Sequence, residues 1–156
     1  MVMHKGIKLK NILNKYPLLI LLLIIAVANL NCHVQLVAKY DQSAVDDILQ
    51  TYREIDNLYI TLLNTPEKQR IFKDYSNSIN TIESEISVMV LKNSARPLNT
   101  ESTKIAKSIL ASWRNHRTEF QKKNSYPDEL ITFDRETFFD NFVALLNAEQ
   151  SKSIAE

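Results

Sequence analysis

Cys32 is the residue in this sequence whose type and position point to a covalent chemistry. It is the only cysteine among the 156 residues, and it follows an apolar run over residues 18–28 by four positions. Acyl chains on one N-terminal cysteine can anchor a protein, because each buried methylene contributes about 0.8 kcal/mol. We therefore predict that Cys32 is lipidated, with palmitate among the acyl groups.

The segment before Cys32 is typical of an export signal. Residues 1–17 contain four lysines and no acidic residue, and eleven apolar residues follow. A basic region followed by an apolar core of about 7–15 residues is the signal-peptide pattern, whereas a membrane span needs about 20 apolar residues. The sequence thus predicts a lipoprotein-type signal peptide, or a signal anchor, over residues 1–31.

The sequence leaves three fates of this segment open. Lipidation fits the position of Cys32, although Asn29 and Asn31 stand where the processing site usually has a leucine and a small residue. Ala26-Val-Ala28 is a small-residue cleavage site that would release a soluble periplasmic chain. An uncleaved segment would be a marginal span with its lysines in the cytoplasm. We expect an inner- or outer-membrane lipoprotein facing the periplasm, with a single-span inner-membrane protein carrying a periplasmic domain as the alternative.

Residues for catalysis or metal binding form no pattern in the sequence. His4, His33 and His116 lack metal-ligand spacing, and the single glycine, Gly6, leaves the body without a phosphate-binding loop. His116 is interpreted as a core or boundary histidine, because the sequence implies no acidic or nucleophilic partner for it. We predict no catalytic, cofactor-binding or metal-binding residue, no cofactor and no enzymatic activity.

The charge balance argues against nucleic acid as a partner. The whole chain carries a net charge of +1, and without the four lysines of the leader it has 15 basic and 18 acidic residues. That weakly acidic body has no block of basic residues with which to follow a phosphate backbone.

Apolar residues in the body recur at spacings of three and four, which predicts helices. Pro66, Pro97 and Pro127 divide the body at nearly even intervals. The expected helices cover residues 41–64, 65–93, 99 or 100 to about 123, and 134 to about 150. The expected start signals are a capping box at Ser43 and Asp46, Thr65 before Pro66, and Asp134.

These segments predict an all-α fold, an antiparallel up-down four-helix bundle preceded by the N-terminal signal or anchor segment. The expected organisation is a tether over residues 32–40, the helical bundle over residues 41–150, and a frayed tail over residues 151–156.

Two short motifs resemble an uncharacterised family of small helical bacterial lipoproteins. They are Gln35-Leu-Val-Ala-Lys-Tyr-Asp41, just after Cys32, and Ser94-Ala-Arg-Pro-Leu-Asn-Thr100, at the expected turn before the third helix. The resemblance covers about residues 32–150. It implies lipidation of Cys32 and brings no known activity.

Two functions agree with these features. The first is a membrane-tethered extracytoplasmic lipoprotein that acts as a non-enzymatic protein-interaction or envelope-structural module, with an envelope protein as its partner. It reaches the membrane through lipidated Cys32 or an uncleaved anchor. The alternative is a periplasmic helical protein that binds a small ligand or a lipid between its helices.

Overall fold

Four helices make up the body of the protein. A computed structural model describes residues 36–154, so the predicted signal segment and Cys32 lie outside the described residues. The helices are α1 (Gln42–Leu63), α2 (Phe72–Ala95), α3 (Thr100–Lys123) and α4 (Asp128–Gln150), and two short 3-10 turns cover Glu67–Gln69 and Ser151–Ile154. No strand occurs within residues 36–154, so the prediction of an all-helical body is confirmed for this part of the chain.

The helices form an antiparallel ring. Each helix packs against the next along the chain, and α4 closes the ring against α1. Asp47 near the start of α1 pairs with Lys92 near the end of α2 at 2.6 Å, and Asp56 pairs with Arg135 of α4 at 2.6 Å. We call the end that holds residues 36–41 and the α2–α3 turn the tether end, and the opposite end the far end.

The core follows the spacing of apolar residues that the sequence showed. Each helix turns one stripe inward, since positions three and four apart share a helical face. Tyr59, Trp113 and Phe138 are three of its aromatic members, and the ring of Phe138 lies 5.6 Å from that of Trp113. The other large members are Ile48, Ile55, Leu62, Ile79, Ile82, Ile86, Met89, Ile109, Phe120, Ile131, Phe142 and Leu145.

The start of α1 differs from the predicted capping box. Asp41 is the N-cap, and its side chain accepts a hydrogen bond from the backbone N–H of Ser43 at 2.9 Å. Asp46 instead accepts from the Gln42 side chain at 2.9 Å. Aspartate and serine are both strong N-cap residues, and helix α1 is capped by Asp41, two positions before Ser43.

The predicted start of the second helix at Thr65 and Pro66 is wrong. Pro66 precedes the 3-10 turn, and α2 begins only at Phe72. The helical path between this turn and α2 is interrupted at Arg70. This residue is buried, and its Nη1 donates to the backbone oxygen of Tyr126 at 2.7 Å. Its Nη2 also lies 2.5 Å from a carboxylate oxygen of Asp128. These distant partners hold Arg70 out of the helix.

The predicted start of the fourth helix at Asp134 is also wrong. Helix α4 begins at Asp128, directly after Pro127. Asp134 therefore falls within the helix, on its inward stripe, and is buried. Residues 128–133 are helical because Ile131 belongs to the core stripe.

The structure describes residues 36–40 of the predicted tether and residues 151–154 of the predicted tail. The backbone N–H of Ala38 donates to the oxygen of Leu98 at 3.2 Å, and Ala38 is buried. Ser151–Ile154 form a 3-10 turn whose Lys152 is buried against α3. Lys152 thus connects this turn to the bundle through side-chain hydrogen bonds.

Within residues 36–154, two residues other than glycine have a positive φ. Asn124 ends α3 at φ 48°, and its side-chain oxygen accepts from the backbone N–H of Phe72 at 3.0 Å. Leu98 in the α2–α3 turn has φ 60°. Asparagine tolerates this region, whereas a leucine is disfavoured there by contact between its Cβ and the backbone.

Replacing Leu98 by asparagine should therefore stabilise the fold. We expect the free energy of unfolding to rise by about 0.5–1 kcal/mol, because the strain at φ 60° is relieved and the leucine side chain is largely exposed. Urea unfolding followed by circular dichroism measures the change. A destabilisation similar to that of a core substitution would contradict this explanation.

Candidate functional site

An exposed apolar strip runs along the outside of α1 and α4. Leu49 and Tyr52 of α1 and Phe139 and Val143 of α4 lie at helical spacing on this side, and we call these four residues the α1–α4 face. The Tyr52 and Phe139 rings meet edge to face, with centroids 6.0 Å apart. Phe139 is 51 % exposed. Aromatic side chains that remain exposed in an apolar patch are typical of protein-interaction surfaces.

A charged pair borders this strip on the far-end side. Nε of Arg135 donates to a carboxylate oxygen of Asp56 at 2.6 Å, and the hydroxyl of Tyr52 lies 3.5 Å from the same oxygen. Partial burial, and then the charge of Asp56, raise the pKa of Tyr52. The phenol therefore stays protonated, and the α1–α4 face combines apolar rings with a polar rim.

A buried polar cluster lies at the far end. The hydroxyl of Tyr126 donates to Oδ2 of Asp134, and Nδ1 of His116 lies 3.1 Å from the same oxygen without hydrogen-bond alignment. Burial raises the pKa of Tyr126 above its usual range, and the same cause raises that of Tyr59. Tyr126 is therefore a hydrogen-bond donor to Asp134, which fixes the α3–α4 turn against α4.

This cluster contains an acid and an imidazole, the two groups that general acid-base chemistry uses. Catalysis also requires a reacting group within hydrogen-bond reach and a place for a substrate. An apolar space of about 20 Å³ adjoins His116 and Tyr126, and a second space of about 190 Å³ is lined in part by His116, Tyr126 and Asp134. The contacts that the structure shows for this cluster are the packing and the hydrogen bond that join the α3–α4 turn to α4.

A second buried polar cluster lies at the tether end. Glu149 is fully buried and receives Nη2 of Arg96 at 2.7 Å and the ammonium of Lys152. Lys152 is 6 % exposed and also donates to Ser102 at 2.9 Å and to the Asn99 side chain. Burial lowers the pKa of Lys152, although the Glu149 carboxylate acts in the opposite direction. The cluster joins α4 to the α2–α3 turn.

The basic residues near His116 on α3 already have a partner. Arg114 donates to Glu83 at 3.0 Å, and Arg117 donates to the other oxygen of that carboxylate at 2.8 Å. Burial alone would raise the pKa of Glu83, but the two guanidinium groups outweigh it and lower the pKa. Glu83 thus links α2 to α3.

Two carboxyl groups face each other between α1 and α2. Burial, and then the neighbouring Glu54, raise the pKa of Glu85 from 4.5 to about 7. A raised pKa means that the folded state binds the proton more tightly than the unfolded state does. The stability that Glu85 contributes is therefore fully present below about pH 4.5 and is lost as the pH rises through about 7.

Replacing Glu85 by glutamine should remove this pH dependence. We expect the variant to be more stable than the wild type at pH 8 by about 1 kcal/mol, a figure that allows for solvent screening, and to differ little at pH 4.5. Urea unfolding at both pH values measures the difference. The same substitution at the exposed Glu101 is the control, and an equal gain there would rule out the Glu54–Glu85 contact as the cause.

Neither a membrane span nor a metal site is found in the described residues. Among residues 36–154, no helix has both the length and the apolar character to cross a membrane. Within the same residues, histidine, aspartate and glutamate do not gather in groups of three or more that would hold a metal ion.

The structure places the candidate residues from the sequence as follows. Cys32 lies outside the described residues, and the acid beside His116 is Asp134, which the sequence pattern had assigned to a helix cap. The sequence analysis missed Arg70, Glu149 and Lys152. The helical spacing of Glu149 with the core residues Phe142 and Leu145 is the signal that would have placed Glu149 inside.

No protein-family model, no curated protein and no solved structure matches this chain.

Proposed function

We propose that this protein is an extracytoplasmic helical-bundle lipoprotein, tethered through Cys32, that binds another envelope protein through the α1–α4 face. The exposed Phe139 beside Tyr52 is the observation that carries the binding part of the proposal. The tethering part rests on the sequence around Cys32 and on its resemblance to small helical bacterial lipoproteins.

The packing of the bundle favours a binding surface over a ligand cavity. The apolar space in the core, of about 20 Å³, compares with about 300–1,000 Å³ for pockets that hold drug-sized ligands. The larger spaces, of about 190–410 Å³, are clefts at the surface that stay partly open to solvent. A small-ligand or lipid carrier therefore remains the alternative with less support.

Intact mass of the membrane-extracted protein tests the tether. We expect a chain that begins at Cys32 and carries the mass of added acyl groups, and we expect Cys32→Ser to abolish both processing and acylation. A chain that begins at Asn29 would identify the small-residue cleavage site, and an unprocessed chain would identify an anchor. Either result would refute lipidation at Cys32.

Site-specific photo-crosslinking in the full-length chain tests the binding surface. A photoreactive residue at position 139 should capture one defined envelope protein, identified by mass spectrometry. Position 133 is the matched control, because it is also a phenylalanine of α4 and is 64 % exposed, but it lies on a different side of the helix. Equal capture from both positions, or capture from neither, would refute the α1–α4 face as the site.

A further inference from the structure

Exposed apolar side chains gather at the tether end. Leu36 and Val37 precede α1, Leu98 lies in the α2–α3 turn, and Ile154 ends the last 3-10 turn; all four are exposed. They belong to three separate parts of the chain. We call these four residues the apolar tip.

The hydrogen bonds at this end hold the three parts together. The Ala38 N–H donates to the oxygen of Leu98, which joins the first part to the second. Lys152 donates to Asn99 and Ser102, which joins the last turn to the start of α3. The apolar tip is therefore one surface on a fixed frame.

Leu98 is unusual in this surface, because its backbone conformation disfavours it. At φ 60°, glycine or asparagine would be less strained, and more than half of the leucine remains exposed within residues 36–154. An apolar side chain that costs free energy and stays exposed suggests contact with something outside the bundle.

The chain leading into this end indicates what that contact is. Leu36 follows Cys32 by four residues, and an extended chain spans at most about 3.6 Å per residue. A lipid on Cys32 would thus hold Leu36 within about 15 Å of the bilayer. The surface that reaches the bilayer first is the apolar tip.

We propose that the apolar tip inserts into the boundary between the lipid headgroups and the acyl chains, so that the bundle stands on the membrane with its far end away from it. This inference rests on the proposed membrane tether. Apolar groups at such a boundary lie about 5–10 Å deep, a depth that side chains in short turns can reach.

Fluorescent labelling of the full-length protein tests this arrangement. The variants Leu98→Cys, Ile154→Cys and Phe133→Cys each receive a polarity-sensitive label, and each protein is placed in vesicles of phosphatidylethanolamine and phosphatidylglycerol. Acylated Cys32 has no thiol to react, so uptake of label by the wild type reports a free Cys32. Phe133 is the matched control, because it is an exposed apolar residue near the far end.

We expect quenchers attached to lipid acyl chains to reduce the emission at positions 98 and 154 several-fold more than at position 133. Equal quenching at all three positions would overturn the proposal while leaving the tether intact. The proposal would also be overturned if the labels at positions 98 and 154 were blue-shifted but out of reach of lipid-borne quenchers. Residues 18–28 would then cover the tip. A chain that fails to float with the vesicles would overturn the tether and this inference together.

Leu98→Asn separates membrane contact from folding. The variant should fold at least as well as the wild type, while the label at position 154 becomes less quenched because the tip has lost one apolar contact. Unchanged quenching at position 154 would show that Leu98 does not contribute to insertion and would overturn its role in the apolar tip.

Discussion

Replacing Glu149 by alanine should lower the free energy of unfolding by about 3–5 kcal/mol. Glu149 is fully buried and is the carboxylate that receives both Arg96 and Lys152. Its loss leaves a buried ammonium and a largely buried guanidinium without an anion, and that penalty exceeds the value of the pair itself.

Urea or thermal unfolding followed by circular dichroism measures this effect. Glu101→Ala is the matched control, because Glu101 forms an exposed pair with Lys104 at 2.9 Å and should cost less than about 0.5 kcal/mol. Glu149→Gln should fall between the two, since an amide oxygen still accepts hydrogen bonds but carries no charge. A loss below about 1 kcal/mol for Glu149→Ala would mean that water reaches the cluster.

Alanine substitutions at the adjacent residues Phe138 and Phe139 of α4 should lower the free energy of unfolding by very different amounts. Phe138→Ala should cost about 3–5 kcal/mol, because the ring is 0 % exposed and packs against Tyr59, Trp113 and His116 with centroids 5.3–6.1 Å away. Phe139→Ala should cost about 1 kcal/mol or less, since its ring is half exposed.

The same two variants separate folding from binding. Phe139→Ala should remain folded and no longer capture the envelope partner. Phe138→Ala should instead lower the free energy of unfolding before any loss of partner binding is seen. Both are measured by urea unfolding and by co-purification with the partner identified through crosslinking. Equal destabilisation by the two substitutions, or full partner binding by folded Phe139→Ala, would contradict the assignment of core and surface.

The helices could be predicted because their signal is local and repeated. Apolar residues such as Ile79, Ile82 and Ile86 recur at helical spacing, and burying the face that they share stabilises the helix in the bundle. The start of α3 at Asn99 or Thr100 was also predicted, although the Asn99 side chain makes no capping hydrogen bond and instead contacts Asn93 and Lys152.

The starts of α2 and α4 were mispredicted because they depend on distant partners. Thr65 and Pro66 form a good local start signal, but Arg70 bonds to Tyr126 and Asp128, more than fifty residues away. Asp134 suits a helix cap by type, yet its partners Tyr126 and His116 belong to other parts of the chain. Spacing along one helix carries no information on such pairs.

The pairing of the buried charges and the α1–α4 face were beyond sequence reasoning for a related reason. Helical spacing could have placed Glu149 inside, but nothing local indicates that its charge meets those of Arg96 and Lys152. Phe138 and Phe139 are identical in type, and only the packing of α4 against its neighbours decides which ring is buried.

The bonds between residues 38–39 and the α2–α3 turn also determine how the protein would respond to mechanical force. A pull on the chain at Leu36 acts first on the Ala38–Leu98 hydrogen bond and on the Arg96 side chain, which donates to the backbone oxygen of Lys39 and is itself held by Glu149. Tension is therefore shared between α2 and α4 before α1 can be peeled away. Since the unfolding rate governs resistance to force, Arg96→Ala should shorten the lifetime of the bundle under a constant pull.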